Sequence, residues 1–299
     1  MANLKEVRER ISSVNSTQQI TKAMKMVAAA KLRRAQQAIV DMRPYSNKLS
    51  SMLSNILEGL QGDAETSFGV ERPVKNALVV VVTSNKGLCG GFNTNVSKTA
   101  LRLAEEKYSE QHKAGKLNYL FIGKKGHIYL KSRISGAPFN LDYMELVDKD
   151  FSFEASSKVS AMLMQDFEDG KYDAIDIVYA QFKNPAVQYF VVEPFLPVAK
   201  LESDDTESSN EIADFIFEPN QKDLLEYLVP TILKTQFHKT ILDSNASEQG
   251  ARMTAMDKAS ENAEEILKEL KINYNKARQE AITAEISEIV GGVAALEGA

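Results

Sequence analysis

The chain has 299 residues, of which 43% are hydrophobic and 26% are charged, and these fractions are ordinary for a soluble protein. Its single cysteine, Cys89, excludes an intramolecular disulfide and favours a reducing compartment. No apolar run reaches the roughly 20 residues that a membrane-spanning helix needs. Met1 leads almost directly into a helical pattern, so we expect no signal or transit peptide.

The formal net charge of −5 is distributed unevenly along the chain. The first 40 residues carry eight Lys or Arg against two Glu, and residues 202–226 carry nine acidic residues against one Lys. A basic N-terminal helix can bind nucleic acid, a membrane surface or an acidic protein, or it can simply be solvated. Nucleic acid is disfavoured because residues 1–43 contain no aromatic side chain. A membrane surface is disfavoured because the apolar stripe is narrow and rich in alanine.

An amphipathic helix is predicted from about Asn3 to Leu57. Pro44 removes one backbone donor, so we expect a kink or a local end there. Residues 61–73 are predicted to be a surface connection, because they contain two glycines and a proline. The positions on one side of this helix recur mostly at steps of three and four: Leu4, Val7, Ile11, Val14, Gln18, Thr21, Ala28, Leu32, Ala35 and Ile39.

The central region changes from helical periodicity to buried strands. Helices are predicted at 94–108, 124–133 and 153–167, and strands at 77–82, 117–122, 174–182 and 187–192, with a weaker strand at 139–146. Because strands and helices alternate, we expect a small doubly wound, Rossmann-like α/β domain. The last two strands follow each other directly around Asn184 and Pro185, so we expect an antiparallel hairpin at the late edge of the sheet.

A second long helix is predicted from about Asn220 to the end of the chain, after the acidic segment 202–210. Pro230 makes an early bend expected, and no proline follows residue 251. A stripe this long requires a partner helix, and the N-terminal helix is the candidate. The sequence therefore predicts a long antiparallel two-helix coiled coil plus the α/β domain. The stripe comprises Met256, Ala259, Ala263, Ile266, Leu270, Tyr274, Ala277 and Ala281, and restarts one residue over at Ile282, Ile286, Ile289, Val293 and Leu296.

The glycine-rich turn at 83–93 is the strongest candidate for a chemical site. A strand followed by glycines and a helix can bind phosphate through the amides at the helix N-terminus. The run Gly87-Leu88-Cys89-Gly90-Gly91, however, matches neither G-x-x-x-x-G-K-[ST] nor G-x-G-x-x-G. We therefore favour a tightly packed turn with a buried Cys89 thiol over a nucleotide site or a nucleophile. The histidines lack metal-ligand spacing, and we expect no catalytic residue, cofactor or metal.

Three segments closely resemble the γ subunit of bacterial F-type rotary ATP synthases. They are ITKAMKMVAAAKLRR at 20–34, SNKGLCGGFN at 84–93, and SEQGARMTAMDKASENAEEILKELKINYNKARQEAITAEISEIVGGVAAL at 247–296. Order, spacing and length fit too, so the likeness covers essentially the whole chain. It implies that the paired terminal helices form a rotor shaft inside a hexamer of α and β subunits. It also implies that the α/β domain is a foot beside the ε subunit and the ring of c subunits.

The resemblance implies a mechanical function without catalysis. Proton flow through the ring turns the shaft, which drives the three β active sites through different states and regulates ATPase activity, so the nucleotide chemistry belongs to β. The expected partners are the α and β hexamer, the ε subunit and the c-subunit ring, with no nucleic acid. The expected location is the cytoplasmic face of the bacterial inner membrane, as a peripheral protein.

The motif match also implies contact residues. Glu280 and Ala284 depart from the family pattern, which commonly has a small residue and a glutamine there. Contacts to the ring and the ε subunit are implied for Phe215 and Phe217. Contacts to β are implied for Met24, Lys25, Arg252, Arg278, Gln279, Thr283 and Glu285.

Four segments are predicted along the chain: the shaft helix 1–58, the α/β foot domain 74–200, the acidic linker 201–219 and the shaft helix 220–299. Two other functions stay open. One is a nucleotide-binding regulatory module that uses the Gly87–Gly91 turn, and the other is a static coiled-coil scaffold.

Overall fold

The computed structural model describes residues 4–59, 67–70, 72–134, 136–146, 151–198 and 221–297. The helices are α1 (Leu4–Gly59), α2 (Phe92–Glu106), α3 (Ser109–Lys113), α4 (Lys124–Lys131), α5 (Phe153–Glu168) and α6 (Gln221–Glu297). The strands are β1 (Ala77–Val82), β2 (Leu117–Ile122), β3 (Phe139–Asn140), β4 (Ala174–Phe182) and β5 (Gln188–Leu196). The chain divides into two units, Met1–Ala28 with Met253–Ala299, and Ala29–Arg252, so that α1 and α6 each contribute to both.

The first unit is an antiparallel pair of helices. Its polar contacts fix the direction, because Thr21 hydrogen-bonds Ser260 (Oγ1 to Oγ, 2.7 Å) while the earlier Arg8 donates to the hydroxyl of the later Tyr274 (2.9 Å). Several contact positions are small or polar, which allows close approach and fixes the register. The predicted antiparallel pairing of the two terminal helices is therefore confirmed. Its buried residues include Val7, Gln18, Thr21, Ala28, Met256, Ser260, Ala263 and Leu267.

The restarted part of the stripe on α6 differs from its neighbour. Because Arg8 already lies opposite Tyr274 and α1 begins at Leu4, α1 ends only about one turn beyond this contact. In the described residues of this unit, the side chains from Ile282 onwards are therefore not packed on α1. Ile282, Ile286, Ile289, Val290 and Val293 are 47–66% exposed. The expectation that the whole stripe packs on the N-terminal helix is wrong for this last part and also for Ile266, which is 46% exposed while the neighbouring Leu267 is buried.

The second unit contains a five-stranded sheet in the order β3-β2-β1-β4-β5. The first four strands are parallel, and β5 pairs antiparallel with β4 at the edge. The predicted hairpin is thus confirmed at Asn184, whose carboxamide oxygen accepts the amides of Ala186 and Val187 at 3.0 and 2.7 Å. The doubly wound, Rossmann-like prediction is confirmed as well.

Hydrophobic side chains cover both faces of this sheet. Val80 and Val82 of β1 pack with α5 residues such as Leu163 and Phe167, whereas Val79 and Val81 pack with α2. Every residue of β1 is buried, which explains why its sequence is an unbroken apolar run instead of an alternation. Part of α6 also belongs to the first of these clusters, through residues including Leu233, Phe237 and Ile241.

Three local expectations need correction. α1 continues through Pro44, so the alternative of a local end is wrong, while the alternative of a kink stays a prediction. The weak strand predicted at 139–146 comprises only Phe139 and Asn140. β5 extends past the predicted Val192 to Leu196, because Pro194 lies on an edge strand, where a missing amide donor is tolerated.

The four predicted segment limits stay predictions, since 199–220, which contain the proposed acidic linker, lie outside the described residues. None of the helices, as far as they are described, has a stretch long and apolar enough to cross a membrane.

Candidate partner-binding surfaces

The last described turns of α6 present four of the predicted contact residues to solvent. Arg278, Gln279, Thr283 and Glu285 are all exposed, and Thr283 donates its hydroxyl to the carbonyl of Gln279 (2.9 Å). These polar side chains share the helix surface with the exposed Ile and Val side chains of the restarted stripe. A mixed apolar and polar surface on one helix is suited to protein contact and offers no enclosed site for a small ligand.

Met24 and Lys25 lie on the basic part of α1 in the first unit, and both are half-buried. The Lys25 ammonium lies 2.5 Å from the Asp257 carboxylate, so its charge is already partly compensated within the chain. The neighbouring Met26 and Val27 are 67% and 57% exposed, which the sequence pattern did not single out. Periodicity predicts only which face is buried, so these apolar side chains were missed as contact candidates.

The side chain of Arg252, another predicted contact residue, is only 11% exposed. Its guanidinium donates to the carboxylate of Glu248, to Gln249, and to the main-chain carbonyls of Lys86 and Gly87. Its role as a β contact stays a prediction. Phe215 and Phe217 lie outside the described residues.

In the glycine-rich turn, Ser84, Cys89 and Asn93 hydrogen-bond one another. The Asn93 carboxamide oxygen accepts the amide of Ser84 at 2.9 Å, and its amide group donates to the Ser84 hydroxyl at 2.7 Å and to the Cys89 sulfur at 3.1 Å. α2 begins after Gly91 without a side-chain cap. The packed-turn interpretation therefore agrees with the geometry, since these groups already have partners.

The thiol of Cys89 is unsuited to nucleophilic chemistry. The residue is 2% exposed, and burial raises the pKa of its thiol, an effect that the Ser84 hydrogen bond and the charge of Arg252 only partly offset. A neutral thiol is a weak nucleophile compared with a thiolate.

Other buried polar groups of the second unit are paired in ways that support packing. The Asp176 carboxylate is 1% exposed and accepts hydrogen bonds from the Lys107 ammonium at 2.7 Å and from the Tyr108 hydroxyl at 2.9 Å. His238 is 9% exposed and hydrogen-bonds the Ser156 hydroxyl through Nδ1 at 2.8 Å. Burial lowers the pKa of His238 and so favours the neutral ring. In the part of the chain that the structure describes, no three His, Cys, Asp or Glu residues form a possible metal site.

Comparisons with known proteins show the family to which the chain belongs. The profile of the family described as ATP synthase matches residues 3–296. The ATP synthase gamma chain of Cytophaga hutchinsonii is 50% identical over 296 residues, with 99% of each chain covered. That of Flavobacterium psychrophilum is 50% identical over 299 residues, with both chains fully covered.

Among solved structures, the chain is similar to one from the central stalk and c-ring of the Tetrahymena thermophila mitochondrial ATP synthase. The identity is 25%, the TM-score is 0.56, and 81% of this chain and 99% of that chain are covered. A chain from the OSCP/F1/c-ring structure of the Euglena gracilis enzyme shares the fold, with 20% identity, a TM-score of 0.63, and 98% and 94% coverage. With half of all residues identical to gamma chains along its full length, the chain belongs to the ATP synthase γ-chain family.

Proposed function

We propose that this chain is the central-stalk rotor subunit of an F-type, proton-translocating ATP synthase. Proton flow through a membrane ring turns it, and its rotation drives the conformational changes of the catalytic β subunits. The observation that carries this proposal is the exposed end of α6, where an apolar stripe extends beyond the part of α6 that pairs with α1, together with four exposed polar contact candidates on the same helix. A surface of this kind is costly to leave in water, so it supports contact with surrounding subunits.

The proposed contacts to β are Met24, Lys25, Arg278, Gln279, Thr283 and Glu285, with Arg252 considered separately below. The basic charge of the first 40 residues supports an acidic partner surface, which steers the two surfaces together at modest energy per exposed pair. The Lys25–Asp257 pair is about 40% exposed on each side, so it contributes at most about 1 kcal/mol and leaves Lys25 available to a second carboxylate. Phe215 and Phe217 are proposed to contact the ring and the ε subunit.

The chain is proposed to be non-catalytic, with ATP synthesis and hydrolysis in the β subunits. The internal pairing of Cys89, Asp176 and His238 supports this, because each of these buried groups already has a partner that stabilises the fold. The subunit is proposed to lie on the cytoplasmic face of a bacterial inner membrane and to associate with it through the complex. Two gamma chains to which it is 50% identical are from the bacteria Cytophaga hutchinsonii and Flavobacterium psychrophilum.

A reversible crosslink between α6 and β tests the proposal. The variant Glu285→Cys is assembled with α and with a β subunit that carries one cysteine at the facing surface. A rotor predicts that oxidation abolishes ATPase activity and that reduction restores it. The matched control pairs Glu285→Cys with cysteine-free β, and its activity should not respond to oxidation. Full activity in the crosslinked complex would instead support a static coiled-coil scaffold.

A further inference from the structure

The guanidinium of Arg252 joins α6 to the glycine-rich turn within the second unit. On α6 it contacts the Glu248 carboxylate and the Gln249 Oε1 atom, the latter at 3.2 Å. Its Nη2 atom donates to the carbonyl oxygens of Lys86 at 3.2 Å and Gly87 at 3.4 Å. Because Glu248 is itself only 8% exposed, the arginine is held from one side by a buried carboxylate. Its Nη2 atom lies against the turn.

The tip of the turn has a conformation that needs external support. Leu88 has φ of 64°, a left-handed conformation that costs a non-glycine residue about 1 kcal/mol, and its side chain is 65% exposed. Because most of its surface is exposed, Leu88 gains little from packing in its own chain. The two carbonyls immediately before Leu88 are those that Arg252 holds, and the Lys86 carbonyl also accepts the Ser84 hydroxyl at 2.7 Å. The two residues that precede Leu88 are therefore held by hydrogen bonds from Arg252 and Ser84.

We propose that Arg252 is a positioning residue that holds the turn 86–90 in the conformation that presents Leu88 to solvent, and that it does not itself reach a partner. This replaces the direct β contact that family resemblance implies for Arg252. A planar guanidinium can bind a carboxylate along one edge and carbonyls along another, which a lysine ammonium cannot do at the same geometry. The consequence for activity rests on the proposed rotor function, because it requires that the exposed tip contacts a surrounding subunit.

Cys89 provides a built-in reporter of the turn. It is the only cysteine, it is 2% exposed, and it lies next to Leu88, so it reacts with N-ethylmaleimide only when the turn opens. The labelling rate on the full-length chain, quantified by mass spectrometry of the Cys89 peptide, then follows the opening equilibrium. Arg252→Ala should raise this rate at least about tenfold, since two charge-assisted hydrogen bonds to the turn are lost.

Two further variants separate positioning from charge. Arg252→Lys keeps the positive charge but removes the planar guanidinium with its several N–H donors, and it should raise the labelling rate of Cys89 at least about threefold. Arg278→Ala removes an exposed arginine of the same helix and is the matched control, with labelling within about twofold of the parent chain. A rate for Arg252→Ala within about twofold of the parent chain would overturn the proposal. In Arg252→Ala, the rate of amide hydrogen exchange in β4 must also stay unchanged. Faster exchange in β4 would show that the substitution destabilises the whole unit, which would overturn the specific role of Arg252 at the turn.

The activity of the assembled complex gives the second readout. If Arg252 acts through the tip, Leu88→Ala and Arg252→Ala should each lower ATPase activity, and the double variant should be no worse than the more severe single variant. Fully additive losses would show that Arg252 makes a contact of its own and would reject the proposal. Faster labelling with unchanged activity in all variants would leave the positioning intact and contradict the rotor contact of the turn.

Discussion

The carboxyl group of Asp243 makes the stability of the second unit depend on pH. The residue lies on α6 and is 6% exposed. Burial raises its pKa from 3.8 to about 6, and the negative charge of Glu193 adds to this, while the charges of Lys239 and Arg43 oppose it. Glu193 stays close by because it accepts the Tyr179 hydroxyl at 2.6 Å. We therefore predict that Asp243→Asn stabilises the protein near neutral pH.

The magnitude follows from the difference between the folded and unfolded pKa values. The folded state binds the Asp243 proton more tightly, so this group lowers the free energy of unfolding as the pH rises from about 4 through 6. A rise from 3.8 to about 6 corresponds to about 3 kcal/mol once the carboxyl is ionised in both states. Asparagine has nearly the same shape and no charge, so the variant does not lose this stability. The gain should be close to zero at pH 4 and about 3 kcal/mol at pH 8.

Urea unfolding of the full-length chain, followed by far-UV circular dichroism at several pH values, measures this gain. The chain has no tryptophan, and its long helices give a strong circular dichroism signal. Glu261→Gln is the matched control, because Glu261 is an exposed carboxylate of the same helix, and its effect should be within about 0.5 kcal/mol at every pH. A gain for Asp243→Asn that is the same at pH 4 and pH 8, or a loss at pH 8, would refute this account of the buried carboxyl.

Three further predictions follow from local geometry and from the proposed contacts. Gly123→Ala should lower the free energy of unfolding by about 3 kcal/mol or more, as measured by urea unfolding. The reason is that Gly123 has φ of 103° and an added Cβ would lie 2.0 Å from the carbonyl oxygen of Thr83. A loss below about 1 kcal/mol would contradict this. Tyr119→Phe should raise the melting temperature, because the buried hydroxyl of Tyr119 has no hydrogen-bond partner among the described residues. Tyr179→Phe should lower the melting temperature, because it removes the hydrogen bond from Tyr179 to the Glu193 carboxylate. Met24→Lys should reduce the protons pumped per ATP hydrolysed more than it reduces assembly, since it adds a cation at the proposed acidic contact; an unchanged ratio would count against placing Met24 there.

Periodicity was sufficient to predict most of the fold. The unbroken apolar run of β1 and the change of period after it indicate a doubly wound sheet, because only a strand that is buried on both faces needs apolar side chains throughout. Thr21 lies at the contact between α1 and α6, where the three-and-four spacing predicts it, but its partner Ser260 is one residue away from the predicted stripe position Ala259. The extent of β5 was underestimated because proline disfavours a strand in general but not at a sheet edge.

The candidate contact surfaces were only partly predictable. The same spacing that predicts burial for Met256 also predicted it for Ile282, because a pattern does not reveal where the partner helix ends. The direction of the Arg252 side chain depends on tertiary contacts with the turn 86–87, which are far away in sequence. Asp243 carries no sequence signal of burial beyond its position on a helix, so its raised pKa follows only from the packed structure.

Single-molecule rotation tests the central claim most directly. An α and β hexamer fixed to a surface is assembled with this chain carrying Glu105→Cys, an exposed position on α2, to which a bead is attached. The buried Cys89 does not compete for the label at a comparable rate. With ATP, the account predicts rotation in one direction, in steps of a third of a turn that match the three β sites. A complex that hydrolyses ATP at full rate while the bead remains fixed would contradict it.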